Sequence, residues 1–429
     1  MSFRFLHLAD LHLDTAFGGR PEARERLMRA THEALTQAVD LCIEEALHAL
    51  LIAGDAFDEE KLSLRTEGFF LEEMARLNRA GVQVFYCTGN HDPGRASGRA
   101  AQLGFVDAPE TVGPEAGLWQ FRGAIPRAVT VLDRKGAAVG VVLGAGHNTD
   151  RVENNLAERF RRPETELPVI GLLHTQVENA GGGSDHARYA PSARADYEAA
   201  RLDYWALGHV HLRQQVFADL PVWYSGNLQG RNVRETGPKG GLLVEAHANA
   251  AADCRFVPLA PVEWYLESVA DLADCTTTDH LYKKLEQALR QVAQRANKPA
   301  ERLCVRLVLE GTCPLSALLH DATQRTELEE DLLRDCGYLE VQLRPGALRA
   351  PWDLSELEAT PCVQREALDL VRRLAEDDAA LLELAPADLP GANASTTSDR
   401  EARLAYLRER LAGLEEELLE RCFEGGGAS

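Results

Sequence analysis

The stretch Phe85–Pro93, FYCTGNHDP, joins an apolar run suited to a buried strand to a glycine and then to an amide, an imidazole and a carboxylate in succession. A strand that delivers Asn90, His91 and Asp92 at its carboxyl end fits an α/β layer protein, in which ligands collect where the strands stop. The same reading extends in both directions along the chain. "FLHLADLH" stops at Asp10 and His12, "LLIAGD" at Asp55, "GLLHT" at His174, and "WALGHVH" at His209 and His211. Residues about two hundred positions apart can therefore meet in one crevice.

Between these runs the chain alternates β-rich and helical segments up to about residue 260. Strands are predicted at "FRFLHLA", "HALLIAG", "VQVFYCT", "AVGVVLG", "PVIGLLH", "DYWALGH" and "GLLVEAH", with crossover helices over 24–45 and 64–79. The closely spaced later strands predict a second sheet. Helical "DHLYKKLEQALRQVAQRA", strand "RLCVRLVLEG", helical "RTELEEDLLRDC" and strand "YLEVQLR" then predict a small accessory α/β domain. The expected organisation is a catalytic domain over 1–260, an accessory domain over 265–350, a helix and flexible linker over 351–400, and an amphipathic helix over 401–429. The linker is read from "ELAPADLPGANASTTSDR", rich in Pro, Ala, Ser and Thr. Leu404, Leu407, Leu411, Leu414 and Leu418 follow at 3,4,3,4 spacing, a seam that packs on its own domain or docks another chain.

The 429 residues allow about two or three domains, and 45% hydrophobic content is ordinary for a globular protein. The opening "MSFRFLHLAD" shows no apolar leader run before its first Asp and no apolar run approaches ~18 residues, so a cytoplasmic protein without a membrane partner is expected. Nine cysteines, with no CxxC pair, suit buried thiols and support neither a disulfide frame nor a zinc ribbon. The net charge of −21 opposes a nucleic-acid partner, because duplex DNA is itself a dense line of negative charge. Its distribution softens the objection: residues 1–250 hold 26 Lys+Arg against 33 Asp+Glu, whereas residues 251–429 hold 20 against 34.

Oxygen donors from Asp and Asn, mixed with several imidazoles and no thiolate, suit borderline divalent ions such as Mn2+, Fe2+ or Zn2+, with Mg2+ a further candidate. Asp10, His12, Asp55, Asn90, His174, His209 and His211 are more donors than one ion of four to six ligands takes, so two ions are expected. Four positive charges against the two carboxylates Asp10 and Asp55 call for an anionic substrate. A phosphoester meets that requirement, since ions about 3.5 to 4 Å apart clamp phosphoryl oxygens and activate water at neutral pH.

In this order, "DLH", "GDAFD", "GNHD", "GLLHT" and "GHVH" resemble the five blocks of the calcineurin-like metallophosphoesterase superfamily over roughly residues 1–250. The resemblance implies a two-sheet α/β sandwich. It implies that Asp10, His12, Asp55 and His211 hold one ion, that Asp55 bridges to a second, and that Asn90, His174 and His209 complete the second ion's shell. It also implies that His91 faces the scissile phosphate as a catalytic residue, with Asp92 fixing its tautomer and orientation. "DYWALGHVH" and "WYSGNLQGRNVRETGPKGG" further resemble the SbcD-type DNA-repair exonucleases. That implies a Mn2+-dependent phosphodiesterase acting on DNA ends beside an SMC-like coiled-coil ATPase, and family members often form homodimers.

Other polar residues carry less. Asp58 reads as a turn cap, His7 as a core histidine, and His147 and His186 as loop histidines. Arg231, Arg234 and Lys239 stand among glycines in the segment 226–241, with Asn227 at its metal-proximal end; Arg231, Arg234 and Asn227 are expected to bind a DNA phosphate, the alternative being a solvated hairpin. The expected function is a dinuclear metal-dependent DNA nuclease. The alternatives are a phosphatase or phosphodiesterase of nucleotides or other small phosphoesters, and a catalytically silent DNA-end-binding scaffold, whose mark would be an eroded ligand set.

Overall fold

The computed structural model describes residues 2–58, 63–94, 106–107, 118–178, 180, 189–351, 363–384, 400–411, 413–415 and 417–418. Most of the expected linker, together with His186, Cys362 and Cys422, lies outside the described residues.

Strands β1 (Ser2–Leu8), β2 (Ala49–Ala53) and β3 (Gln83–Cys87) pair in parallel, joined by helices α1 (Pro21–Glu44) and α2 (Leu64–Arg79). They form the centre of a seven-stranded sheet. Two short strands, β4 (Val106–Asp107) and β5 (Leu118–Phe121), extend it on the β3 side. Beside β1 run β12 (Gly240–His247) and β13 (Asp253–Pro258), both antiparallel to their neighbours. A second, six-stranded sheet has the order β10-β11-β9-β8-β7-β6, from β6 (Arg127–Leu132), β7 (Ala138–Gly144), β8 (Val169–His174), β9 (Tyr204–Gly208), β10 (Gln214–Gln215) and β11 (Val222–Tyr224). Strands β7, β8, β9 and β11 are parallel to one another.

The apolar runs are continuous because the first sheet is covered on both faces. Successive side chains alternate between two cores. Leu6, Leu50 and Val84 lie in one row, and Leu8, Ile52 and Tyr86 in the next, against α1 and α2. Phe3, Phe5, Leu51, Phe85 and Cys87 point the other way, into the layer shared with Ile170, Leu172 and Tyr204 of the second sheet. His7 crosses that layer fully buried, one ring nitrogen 3.0 Å from the Tyr204 hydroxyl and the other 3.1 Å from the Leu207 carbonyl. It is a core histidine. Facing sheets set parallel strand ends side by side, and this brings the blocks of the first and second halves of the chain together.

Three parallel strands, β14 (Glu263–Val269), β15 (Leu303–Leu309) and β16 (Glu340–Arg344), make a third sheet. Helix α3 (Arg194–Ala200) belongs to the second sheet's connections, while α4 (Thr278–Arg295) and α6 (Ala322–Cys336) flank the third, with short α5 (Ser316–His320) before α6. Capping explains their starts: Thr277 accepts from His280 N and Asp321 from Gln324 N. Trp264 and Cys304 bury against Phe17, Leu27, Ala30 and Val233, and Arg20 donates to Glu340 at 3.1 Å.

By its contacts the chain divides into two compact units. The first is Met1–Ala270, Thr277–Glu310 and Leu318–Ala347; the second is Asp271–Thr276, Gly311–Ala317 and Leu348–Ser429. All three sheets thus fall in the first unit. Within the second, helices α7 (Val363–Glu376), α8 (Asp378–Leu384) and α9 (Arg400–Leu411) pack on one another, with Leu368 and Leu381 buried. The first three leucines of the predicted seam, Leu404, Leu407 and Leu411, are half-buried on α9. No helix among the described residues is long and apolar enough to cross a membrane.

Candidate metal centre

Asp10 and His12 follow β1, Asp55 follows β2, Asn90 and His91 follow β3, His174 ends β8, and His209 and His211 follow β9. The backbone at the ligands is unusual. Asp10, His12, Asp55 and His209 have φ of 50°, 46°, 48° and 102°, a region that side-chain-bearing residues seldom enter and that concentrates at functional sites. The turns are locked by Asp10 N donating to Gly54 O and His12 N to Asp55 O, at 3.1 and 3.0 Å. Gly54, with φ of 86°, has no alternative, since a Cβ there would fall on the His174 ring.

Two clusters result: Asp10 with His12 and His211, and Asp10 with Asp55 and His174, the ligand atoms of each lying within 4.8 Å of one another. Asp55 Oδ2 stands between the imidazoles, 3.3 Å from His174 Nε2 and 3.9 Å from His12 Nε2. Asn90 Oδ1 is 3.0 Å from His174 Nε2. The His209 backbone N donates to both oxygens of Asp10 at 3.1 Å, and its ring lies 5.2 Å from that of His174.

The donor geometry tests whether a cation fits. His12 Nδ1 donates to Asp58 Oδ1 and His211 Nδ1 to Glu235 Oε1, at 2.8 and 2.7 Å, because a carboxylate accepts only. Both Nε2 atoms then carry lone pairs, and they face each other across 3.2 Å. Two facing lone pairs repel unless a proton or a metal ion sits between them. At metal–nitrogen distances of about 2.0–2.1 Å, two imidazoles in a tetrahedral shell stand about 3.3 Å apart. The residues fit a divalent ion.

Charge tells the same story around His174, whose Nδ1 donates to the Ala53 carbonyl at 2.9 Å. Burial alone would lower its pKa, yet the Asp55 and Asp10 carboxylates outweigh burial and push it up to about 9. Burial would raise Asp55, and His174 and His12 instead hold it well below the usual carboxylate range. His12 is pulled down to about 4 chiefly by burial, which keeps it a neutral ligand.

Several of the expected site residues are engaged elsewhere. Asp92 is held by backbone donors. Its carboxylate accepts from Gly89 N at 2.7 Å, Ala56 N at 2.6 Å and Phe57 N at 3.3 Å, tying the turn after β3 to the turn after β2. His91 Nδ1 meets the Asp58 carbonyl at 2.8 Å instead, leaving Nε2 as its other nitrogen on a side chain that is 41% exposed. Arg231 and Asn227 are likewise engaged within the protein. Arg231 pairs with Asp58 at 3.0 Å and Glu235 at 3.4 Å, and buried Asn227 donates to Glu235 and the Gln229 carbonyl at 2.8 Å each. Arg234 is exposed in the same loop.

Asp58, Glu235 and Lys239 are the residues that sequence reasoning underrated. Lys239 Nζ donates to the His211 carbonyl at 3.0 Å. Asp58 closes the "GDAFD" block, a usable signal, whereas Glu235 lies 24 residues after His211 in an irregular loop that offers none. His147 is buried with Nε2 2.8 Å from the His174 carbonyl, supporting that strand end from behind.

The calcineurin-like phosphoesterase family matches residues 3–213, and the middle domain of the metallophosphoesterase YhaO matches residues 265–341. An uncharacterized metallophosphoesterase of Bacillus subtilis, YhaO, is 32% identical over 316 residues, 72% of each chain. The DNA double-strand break repair protein Mre11 of Methanopyrus kandleri is 26% identical over 400 residues, 87% of this chain and 83% of that one. A component of the nuclease SbcCD of Rhodobacter capsulatus is 29% identical over 302 residues, 60% of this chain and 69% of that one.

Proposed function

The chain belongs to the calcineurin-like phosphoesterase family, and on that premise we propose that it is a two-metal phosphodiesterase that cleaves DNA, most readily with Mn2+, in DNA repair. Phosphoester hydrolysis at a dinuclear metal site is the chemistry of the family, and the candidate ligand clusters suit it. The observation that carries the reading is the pair of lone-pair-bearing nitrogens of His12 and His211, 3.2 Å apart beside Asp10. DNA as substrate is supported by relatives named as a double-strand break repair protein and as part of a nuclease.

Asp10, His12 and His211 would hold one ion, Asn90, His174 and His209 the other, and Asp55 both. When bound, the ions supply charge stabilisation at the phosphoryl oxygens and a water made nucleophilic at neutral pH. His91, its ring fixed through Nδ1 and lying 5.0 Å from the His12 ring, would hand a proton to the leaving oxygen. Arg234, exposed beside the centre's supporting loop, is proposed to meet a phosphate of the strand. A coiled-coil ATPase of the SMC kind as partner, a homodimer and a cytoplasmic location complete the proposal.

The test is cleavage of end-labelled duplex and single-stranded DNA, alongside a chromogenic phosphomonoester, with Mn2+, Mg2+ and Zn2+ in parallel. Mn2+-dependent shortening of DNA is expected. Rapid monoester hydrolysis with intact DNA would favour the second reading, a hydrolase of nucleotides or other small phosphoesters, which the net charge of −21 supports.

A further inference from the structure

Two carboxylates and one guanidinium close a ring behind the His12 and His211 imidazoles. His12 Nδ1 donates to Asp58 Oδ1 (2.8 Å), which also accepts from Arg231 (3.0 Å). The Arg231 backbone N donates to Glu235 Oε2 (2.7 Å), and Glu235 Oε1 accepts from His211 Nδ1 (2.7 Å). Asn227 adds a second donor to Glu235, and Lys239 grips the His211 carbonyl. The segment 226–241 thus reaches His211 at its ring and at its backbone.

His174 is backed differently. Its Nδ1 meets a neutral acceptor, the Ala53 carbonyl, at 2.9 Å. An imidazole whose Nδ1–H faces a carboxylate is fixed in tautomer and orientation and is a stronger donor at Nε2 than one facing a neutral carbonyl. One metal position therefore has two carboxylate-backed imidazoles, and the His174 imidazole of the other has none.

Resting on the metal-centre reading above, we infer that Asp58 and Glu235 are positioning residues that make the His12–His211 position the tighter of the two metal positions, with Arg231 locking the pair together. The ions then load in order, the His12–His211 position first. Through Asn227, Arg231, Glu235 and Lys239 the segment 226–241 serves as a strap for that position, while Arg234 stays exposed.

The experiment is a titration of the metal-free, full-length protein with Mn2+ alone, followed by calorimetry and by the electron paramagnetic resonance of the ion. Wild-type protein should bind two ions per chain in two steps, with an uncoupled signal after the first and a coupled signal after the second. Glu235→Gln and Asp58→Asn should each weaken the tighter step by about 10- to 100-fold and leave the other step in place. His174→Ala should do the reverse, removing the weaker step alone. Thermal melts of the metal-free variants separate loss of fold from loss of binding, and Asp58, at the site's edge with 22% of its side chain exposed, gives the substitution least able to disturb packing. Two ions bound by wild type with the tighter step unchanged in both carboxylate variants would overturn the inference and leave the metal centre standing. Fewer than two ions bound by wild type would overturn both.

Discussion

At the residue scale, the site is a set of strained donors held by small neighbours. Each left-handed non-glycine residue costs roughly 1–3 kcal/mol, so Asp10, His12, Asp55 and His209 are kept there by what surrounds them. Gly89 is one such neighbour, because a Cβ on it would strike the Asp55 carboxylate. Since Asp55 lies between both imidazole groups, Gly89→Ala should lower metal content at both positions, which elemental analysis of purified protein will measure. His91→Asn should behave oppositely, keeping both ions and lowering turnover by about 10²-fold or more. Wild-type turnover in that variant would remove His91 from the chemistry. The seven candidate donors were legible because each stands at or just beyond the end of an apolar run. Glu235 was not, since nothing in a sequence marks which loop carboxylate lies behind which imidazole.

At the element scale, Asp92 binds the turn after β3 to the turn after β2 through three backbone N–H groups. Burial and the nearby Asp55 charge push its carboxyl up to about 6. Asp92→Asn would set an amide N–H2 against those donors and cost about 1–3 kcal/mol in a denaturant melt. Because the Asp58 carbonyl still orients His91, its turnover should fall less than that of His91→Asn. A larger fall would return Asp92 to the chemistry. The strands that carry ligands were readable to within a residue or two because both faces of their sheets are covered. Strands β6 and β14 were missed because they are sheet edges with alternating exposed positions, RAVTVL and EWYLESV, and so make no apolar run.

At the scale of the whole molecule, two sheets meet across a buried layer and the candidate metal ligands sit at its end. Ions that bind only the folded chain stabilise it by mass action, about 2.7 kcal/mol at a hundredfold excess over the dissociation constant. Excess chelator should therefore lower the melting temperature, and an unchanged melt would mean no tight ion. His7, which bridges the sheets, is held down to about 3 by burial, partly offset by its bond to the Leu207 carbonyl. Its folded value lies below the unfolded one near 6.5, so the stability it lends is complete above about pH 6.5 and declines as pH falls toward 3, by about 1.4 kcal/mol per unit. In chelator, the advantage of wild type over His7→Asn in urea melts should shrink on acidification over that window.

The sequence by itself determined the candidate donors, their order and the strands that end in them, because burial on both faces of a sheet writes an apolar run that stops where the candidate ligands begin. Only the tertiary structure decided which carboxylate stands behind which imidazole, that Asp92 serves the backbone, and that Arg231 serves Asp58 and Glu235. Those pairings join irregular turns as much as 173 residues apart. Turns carry no periodicity, so their contacts are set by how the two sheets close upon each other.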